Sequence, residues 1–129
     1  MPPVATAPRH HLAALVVVGG FLGSATRVGL TALFPAAGFP WATLVVNLTG
    51  SAAVGWTLPT LHSRSRRRRR VAFGAVGVAA AYTTFSTFTL DTFELIMSRS
   101  WAAVTAYALL SIGGGVAVAS VGHRLGERP

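Results

Sequence analysis

The 129 residues are too few for two independent cores, and 52% hydrophobic against 11% charged residues, with a mean hydropathy of +0.57, exclude an ordinary soluble domain, in which charged residues make up about a quarter. With no cysteine, disulfide frameworks, thiolate metal sites and cysteine nucleophiles are excluded as well. The net charge of +8 rests on eleven basic residues, all of them arginine, and six fall in one stretch, "HSRSRRRRR", as Arg64 and Arg66 to Arg70.

A helix needs about 20 apolar residues to cross the hydrocarbon core of a bilayer, and four stretches reach that length. The first covers residues 12–34. An apolar run behind Arg9 and two histidines can also be a cleaved signal, but this one is longer than the roughly 7–15 residues of a signal core, and three more follow it. The second covers residues 41–61 after "PAAGFP", the third residues 71–97 after the arginine run, and the fourth residues 101–121 after "SRS". Connections this short leave no room for a soluble domain and force antiparallel neighbours. The expected architecture is one all-α membrane domain over residues 1–129, with both termini on the same side.

Trp41 and Trp101 open their helices on the face away from the arginine run, where an aromatic belt sits. With the termini cytoplasmic, Arg9, the six arginines of the central loop, Arg124 and Arg128 are inside, nine in all, against Arg27 and Arg99 outside. That bias reads as a topology signal in the cell membrane; nucleic acid and anionic lipid are the other partners that such a run can take.

Small residues recur at close-packing spacings, as Gly19 with Gly23, Gly50 near Gly55, and Gly113 to Gly115. Asn47 lies mid-span, where an amide must find partners or line water. Tyr107, Ser111 and Gly115 are four apart and form one stripe on the fourth helix. The densest polar feature is "AYTTFSTFTLDTFEL" (residues 81–95), with hydroxyls at Tyr82, Thr83, Thr84, Ser86 and Thr87 around Phe85 and Phe88. Hydroxyls donate hydrogen bonds without carrying charge, phenylalanine ring edges are electropositive, and carbonyls at a helix break coordinate cations. The combination fits passage of a small, strongly hydrogen-bonding anion. Acids number only three, Asp91, Glu94 and Glu127. Their scarcity counts against a proton-coupled exporter of the four-helix antiparallel-dimer type, the main alternative. No catalytic triad, metal-ligand cluster or phosphate loop points to an enzyme.

These stretches resemble the Fluc (CrcB) fluoride channels across all four segments: "GGFLGSATR" (Gly19 to Arg27), "WATLVVNLTGSAAVGW" (Trp41 to Trp56), "TTFSTF" (Thr83 to Phe88), and Tyr107 with Ser111. The resemblance implies a fluoride channel that exports cytoplasmic fluoride down its gradient and protects the cell from it. It further implies a third helix broken at "TTFSTF", an antiparallel, dual-topology dimer with two pores, and a structural sodium ion at the dimer centre. Carried over by position, Phe85 and Phe88 line the pores, Asn47 is the pore amide, and Thr87, Tyr107 and Ser111 belong to a polar track. Arg27 corresponds to the vestibule arginine, and the carbonyls of Ala80 and Thr83 to the sodium ligands.

Two departures stand out. Ala80 and Ala81 occupy places where the family has glycines around the break, and alanine favours helix and gives up positive dihedrals. The arginine bias fixes one orientation, which fits members that occur as two different subunits of opposite orientation. The expected partners are therefore fluoride, sodium, the bilayer, and either a second copy or an oppositely oriented paralogue, with no nucleic acid.

Overall fold

The computed structural model describes residues 9–34, 38–61 and 65–127, and among these every regular element is an α-helix. They are α1 (Arg9–Thr31), α2 (Trp41–Leu61), α3 (Arg66–Tyr82), α4 (Phe85–Met97) and α5 (Trp101–Gly126). Taking α3 and α4 as one interrupted span, four segments are long and apolar enough to cross a membrane. Arg66 to Arg70, counted with the connection on composition alone, form the first turns of α3. Ser65 starts that helix early: its side chain accepts from the Arg68 N–H at 3.4 Å and its carbonyl from the Arg69 N–H at 3.1 Å.

Glycine sets how the helices pair. A Cβ on Gly19 would collide with the Gly74 carbonyl, one on Gly23 with the Val78 carbonyl, and one on Gly77 with the backbone of Val16. The matching order of these contacts makes α1 and α3 parallel. In the same way Gly55 faces Ala119, while Gly122 and Gly126 face the backbone of Ala52 and Trp56, so α2 and α5 are parallel. The two pairs join where α3 packs on α2, at Gly50 against the Thr83 methyl. Of the triplet Gly113 to Gly115, Gly113 meets nothing within 4 Å, whereas a Cβ on Gly114 would lie 3.1 Å from the Leu48 side chain and one on Gly115 3.6 Å from the Ser51 hydroxyl, so α5 meets side chains of α2 there and its backbone at Gly122 and Gly126.

Large apolar side chains are turned outward. Phe21, Leu33, Leu109 and Val116 are all exposed, whereas among the described residues the buried apolar set is Leu44, Val46, Ala72, Ala79, Leu95 and Tyr107. This inversion of a soluble core follows from the solvent: lipid tails are as apolar as leucine, so close backbone packing rather than burial of apolar area holds the helices together.

The third span breaks at Thr83 and Thr84, whose dihedrals (φ −72°, ψ 154° and φ −146°, ψ 120°) are both extended. The break therefore needs no positive φ, and alanines at 80 and 81 do not prevent it. Thr84 then caps α4, its Oγ1 accepting from the Thr87 N–H at 3.1 Å. The break also redirects the chain: α3 packs on α1 and α2, whereas α4 packs on α5.

The turn from α4 to α5 closes as a Schellman motif, with Arg99 N–H donating to the Ile96 carbonyl at 2.9 Å and Ser100 N–H to the Leu95 carbonyl at 3.0 Å. It places Arg99 at φ 56°, where a side chain is strained. Arg99→Gly is expected to stabilise the fold by about 0.5 to 1 kcal/mol, whereas Gly122→Leu should strip α5 from α2; denaturation in detergent reads both.

Candidate functional site

The break is held from two sides. On α2, the Asn47 side chain pairs with the backbone of Thr84 as a strand would: Oδ1 accepts from the Thr84 N–H at 2.8 Å and Nδ2 donates to the Thr84 carbonyl at 3.0 Å. This double bond fixes which way the amide points and leaves Nδ2 with one further N–H. From α1, Arg27 donates through Nε to the Ala81 carbonyl at 3.3 Å, so its guanidinium stands at the end of α3. A cation is favoured there by the helix dipole.

The hydrogen bonds sort the carbonyls around the break. The Ala79 carbonyl accepts from the Thr83 N–H at 3.0 Å and from the Thr83 hydroxyl at 3.1 Å. Those of Ala81 and Thr84 are taken by Arg27 and Asn47. Two amides are diverted: the Thr84 N–H, which a continuous helix would aim at Ala80, goes to Asn47, and the Thr87 N–H, which it would aim at Thr83, goes to the Thr84 hydroxyl. Ala80 and Thr83 thus lose the helical partners of their carbonyls. Hard oxygen donors of this kind fit a sodium ion, and no side-chain cluster competes, since among the described residues no group of three or more His, Cys, Asp or Glu is placed to hold a metal.

Beyond the break lies a cleft of about 390 Å³, lined by Asn47, Thr83, Thr84, Phe85, Phe88 and Ser111 among others, with no charged side chain on its walls. Thr84 Oγ1 donates to Thr87 Oγ1 at 3.0 Å and lies 3.2 Å from Ser86 Oγ. The later hydroxyls of the same stretch, Thr89 and Thr92, are not among the residues lining the cleft and donate to carbonyls of their own helix at 3.0 and 2.7 Å. Phe85 is 80% exposed, so the cleft is open on the side that Phe85 borders. Its ring lies 5.9 Å from that of Phe88, which in turn lies 5.1 Å from Tyr107. Ser111 Oγ is buried without a hydrogen-bond partner, and among the described residues it is the sole side-chain polar atom in that state. A buried hydroxyl left unpaired costs about 1–3 kcal/mol.

Tyr107 is fully buried and donates from its hydroxyl to Asp91 Oδ2 at 3.0 Å. Asp91, with Thr43 and Glu94, lines a second cavity of about 550 Å³ toward the α1–α2 and α4–α5 connections. Asn47, Phe85, Phe88 and Ser111 therefore share one cleft, Thr87 flanks it, Tyr107 stands behind Phe88, and Arg27 is drawn to the break. Asp91 and Thr43 escaped the site list drawn from sequence. For Asp91 a signal was present, because it lies three residues after Phe88 and so on the same helical face.

Four spans, a broken third one and a polar cleft beside the break define a small multi-pass membrane protein. The chain matches the family "CrcB-like protein, Camphor Resistance (CrcB)" over residues 14–123. It is 40% identical over 115 residues to a fluoride-specific ion channel FluC of Thermus thermophilus, covering 87% of this chain and 92% of that protein. It is also 40% identical over 109 residues to FluC of Nitrobacter winogradskyi (75% and 80% covered), and 33% identical over 117 residues to FluC 1 of Bacillus cereus (88% and 85% covered). The chain belongs to the CrcB family.

Asn47→Ala is expected to leave both polar groups of Thr84 unpaired and to lower stability by about 1–3 kcal/mol. Thr49→Val, which removes an exposed hydroxyl that donates to the Val45 carbonyl of its own helix at 2.7 Å and lies 3.0 Å from the Tyr82 hydroxyl, should be nearly neutral. Equilibrium unfolding of the two variants side by side checks the difference.

Proposed function

We infer that this chain is a fluoride-specific ion channel, not an enzyme, through which cytoplasmic fluoride leaves down its own gradient so that the cell is protected from it. The observation that carries this reading is the unpartnered Ser111 hydroxyl, set in an uncharged cleft with the spare Asn47 N–H and the rings of Phe85 and Phe88. A small anion stripped of water needs donors in its place, and these supply them; ring edges add favourable field without a fixed cation that would trap the ion. The relatives named above carry the same function in their names.

Several finer features belong to the same proposal. Phe85, Phe88, Asn47, Ser111, Tyr107 and Thr87 form the fluoride path. The carbonyls of Ala80 and Thr83 hold a sodium ion at the centre of an antiparallel dimer, supported by the diversion of the Thr84 and Thr87 amides. The open side of the cleft at Phe85 is closed by the second subunit. The termini are cytoplasmic, and the bias of nine arginines to two favours a partner subunit of opposite, fixed orientation over dual insertion of one chain.

Fluoride efflux from liposomes tests the function. The chain, alone or with its oppositely oriented partner, should pass fluoride without a proton gradient, and Ser111→Ala and Phe85→Ile should each slow efflux about tenfold or more, the loss of one hydrogen bond or ring contact to a charged ion. Flux that requires a pH gradient and vanishes in Asp91→Asn would replace the channel with a proton-coupled exporter, and brisk flux from the chain alone would remove the need for a second kind of subunit. The sodium site has its own readout: the unfolding midpoint should rise with sodium and stay fixed with N-methylglucamine.

A further inference from the structure

We propose that the first two turns of α3 form a binding site for the phosphate of an anionic phospholipid. Arg66 to Arg70 are consecutive at the start of this 17-residue helix, and all but the half-buried Arg69 are exposed. No acid stands in the first turn to offset five guanidinium groups beside the positive end of a helix dipole. The chain's three acids do not reach them either: Asp91 and Glu94 lie on α4 across the bundle, and Glu127 lies 3.4 Å from the His123 ring. Neutralisation therefore has to come from outside the chain.

The packing locates that source. With α1 parallel to α3 and α2 to α5, the starts of α1 and α3 share one end of the bundle with the last turn of α5. The exposed His10, His11, His123 and Arg124 thus stand at the same level as the run. Val71, the first residue after it, is already apolar and 66% exposed, as a lipid-facing residue is. This places the guanidinium groups at headgroup depth, where the phosphate of a lipid is nearest and a nucleic acid would have to approach through the headgroup layer.

Residue type points the same way. A topology signal is served equally by lysine and arginine, yet the chain uses arginine alone. Its planar fork binds phosphate through two parallel hydrogen bonds. Ser65 caps the N–H of Arg68 and, through its carbonyl, that of Arg69. The N–H groups of Arg66 and Arg67 precede these and carry no intrahelical partner, as at any helix start, which suits an anion seated on the axis.

The test uses single-tryptophan forms of the full chain in phosphatidylcholine vesicles. One carries Val71→Trp with Trp41, Trp56 and Trp101 changed to Phe; the other keeps only Trp101, at the opposite end. Quenching by brominated phosphatidylglycerol is compared with quenching by brominated phosphatidylcholine. The expected result is about a fivefold preference for phosphatidylglycerol at Val71→Trp, no preference at Trp101, and weakening of the preference as sodium chloride is raised. Changing Arg66 to Arg70 together to Gln should abolish it, and changing them to Lys should keep part of it. Circular dichroism and the unfolding midpoint in the same vesicles report whether the Gln form is folded, and the salt series needs no variant in the run at all. Equal quenching at the two ends, or a preference that survives in the folded Gln form, would overturn the proposal. So would displacement by inorganic phosphate or a short DNA duplex at an ionic strength where sodium chloride has no effect.

Discussion

The structure depends on one pairing, the Asn47 side chain against the Thr84 backbone at 2.8 and 3.0 Å. In lipid no water can satisfy a broken helix, so an interruption survives only where protein groups replace the missing backbone partners. A side-chain amide is suited to this because it carries the same donor and acceptor as a peptide group. With Thr84 held, its hydroxyl is free to cap α4, and α4 leaves the line of α3 to pack on α5. That redirection brings Phe85 and Phe88 to face Ser111. The same interaction draws one amide away from Ala80, while the cap draws a second from Thr83. Cleft and free carbonyls thus have a common origin, and a change at Asn47 acts on both.

Arg27 supports the same point from α1. Its bond to the Ala81 carbonyl places positive charge on the helix end while leaving the neighbouring Ala80 carbonyl outside that contact. A charged side chain is costly inside a membrane, and this one is half-buried with a carbonyl and the end of a helix dipole as partners. Close packing of Gly23 against Val78 lets α1 approach near enough for the bond to form. A glycine that looks like general helix packing is thereby also a condition for holding the break.

Much of this could be read in the sequence, for physical reasons that differ by feature. The spans are legible because their length is set by the bilayer, and the stripe of Tyr107 and Ser111 because a helix repeats its face every three to four residues. What closes the break was hidden. The pairing joins residues 37 apart, and no local pattern announces it, whereas Ala80 and Ala81 read locally as helix formers at a place where the family has glycine. Thr83 and Thr84 make the break through extended dihedrals open to any residue. In sequence Asp91 stands out only as a candidate proton carrier, and its bond from Tyr107 becomes visible once α4 and α5 are placed side by side. Of the glycine triplet, Gly114 and Gly115 face α2 and Gly113 does not, a distinction that spacing cannot make.

Charge and cleft impose separate demands on assembly. A polar cleft bordered by an 80% exposed Phe85 cannot be left against hydrocarbon, because its donors would go unpaired. On the proposed arrangement an inverted subunit lies across it, its own cleft covered in return. A chain with nine arginines at one end and two at the other resists insertion in both senses. On the proposed arrangement a second subunit of opposite bias meets both demands. It covers the cleft without requiring this chain to carry its arginine end through the membrane, and it leaves that end in the leaflet whose phosphates neutralise it.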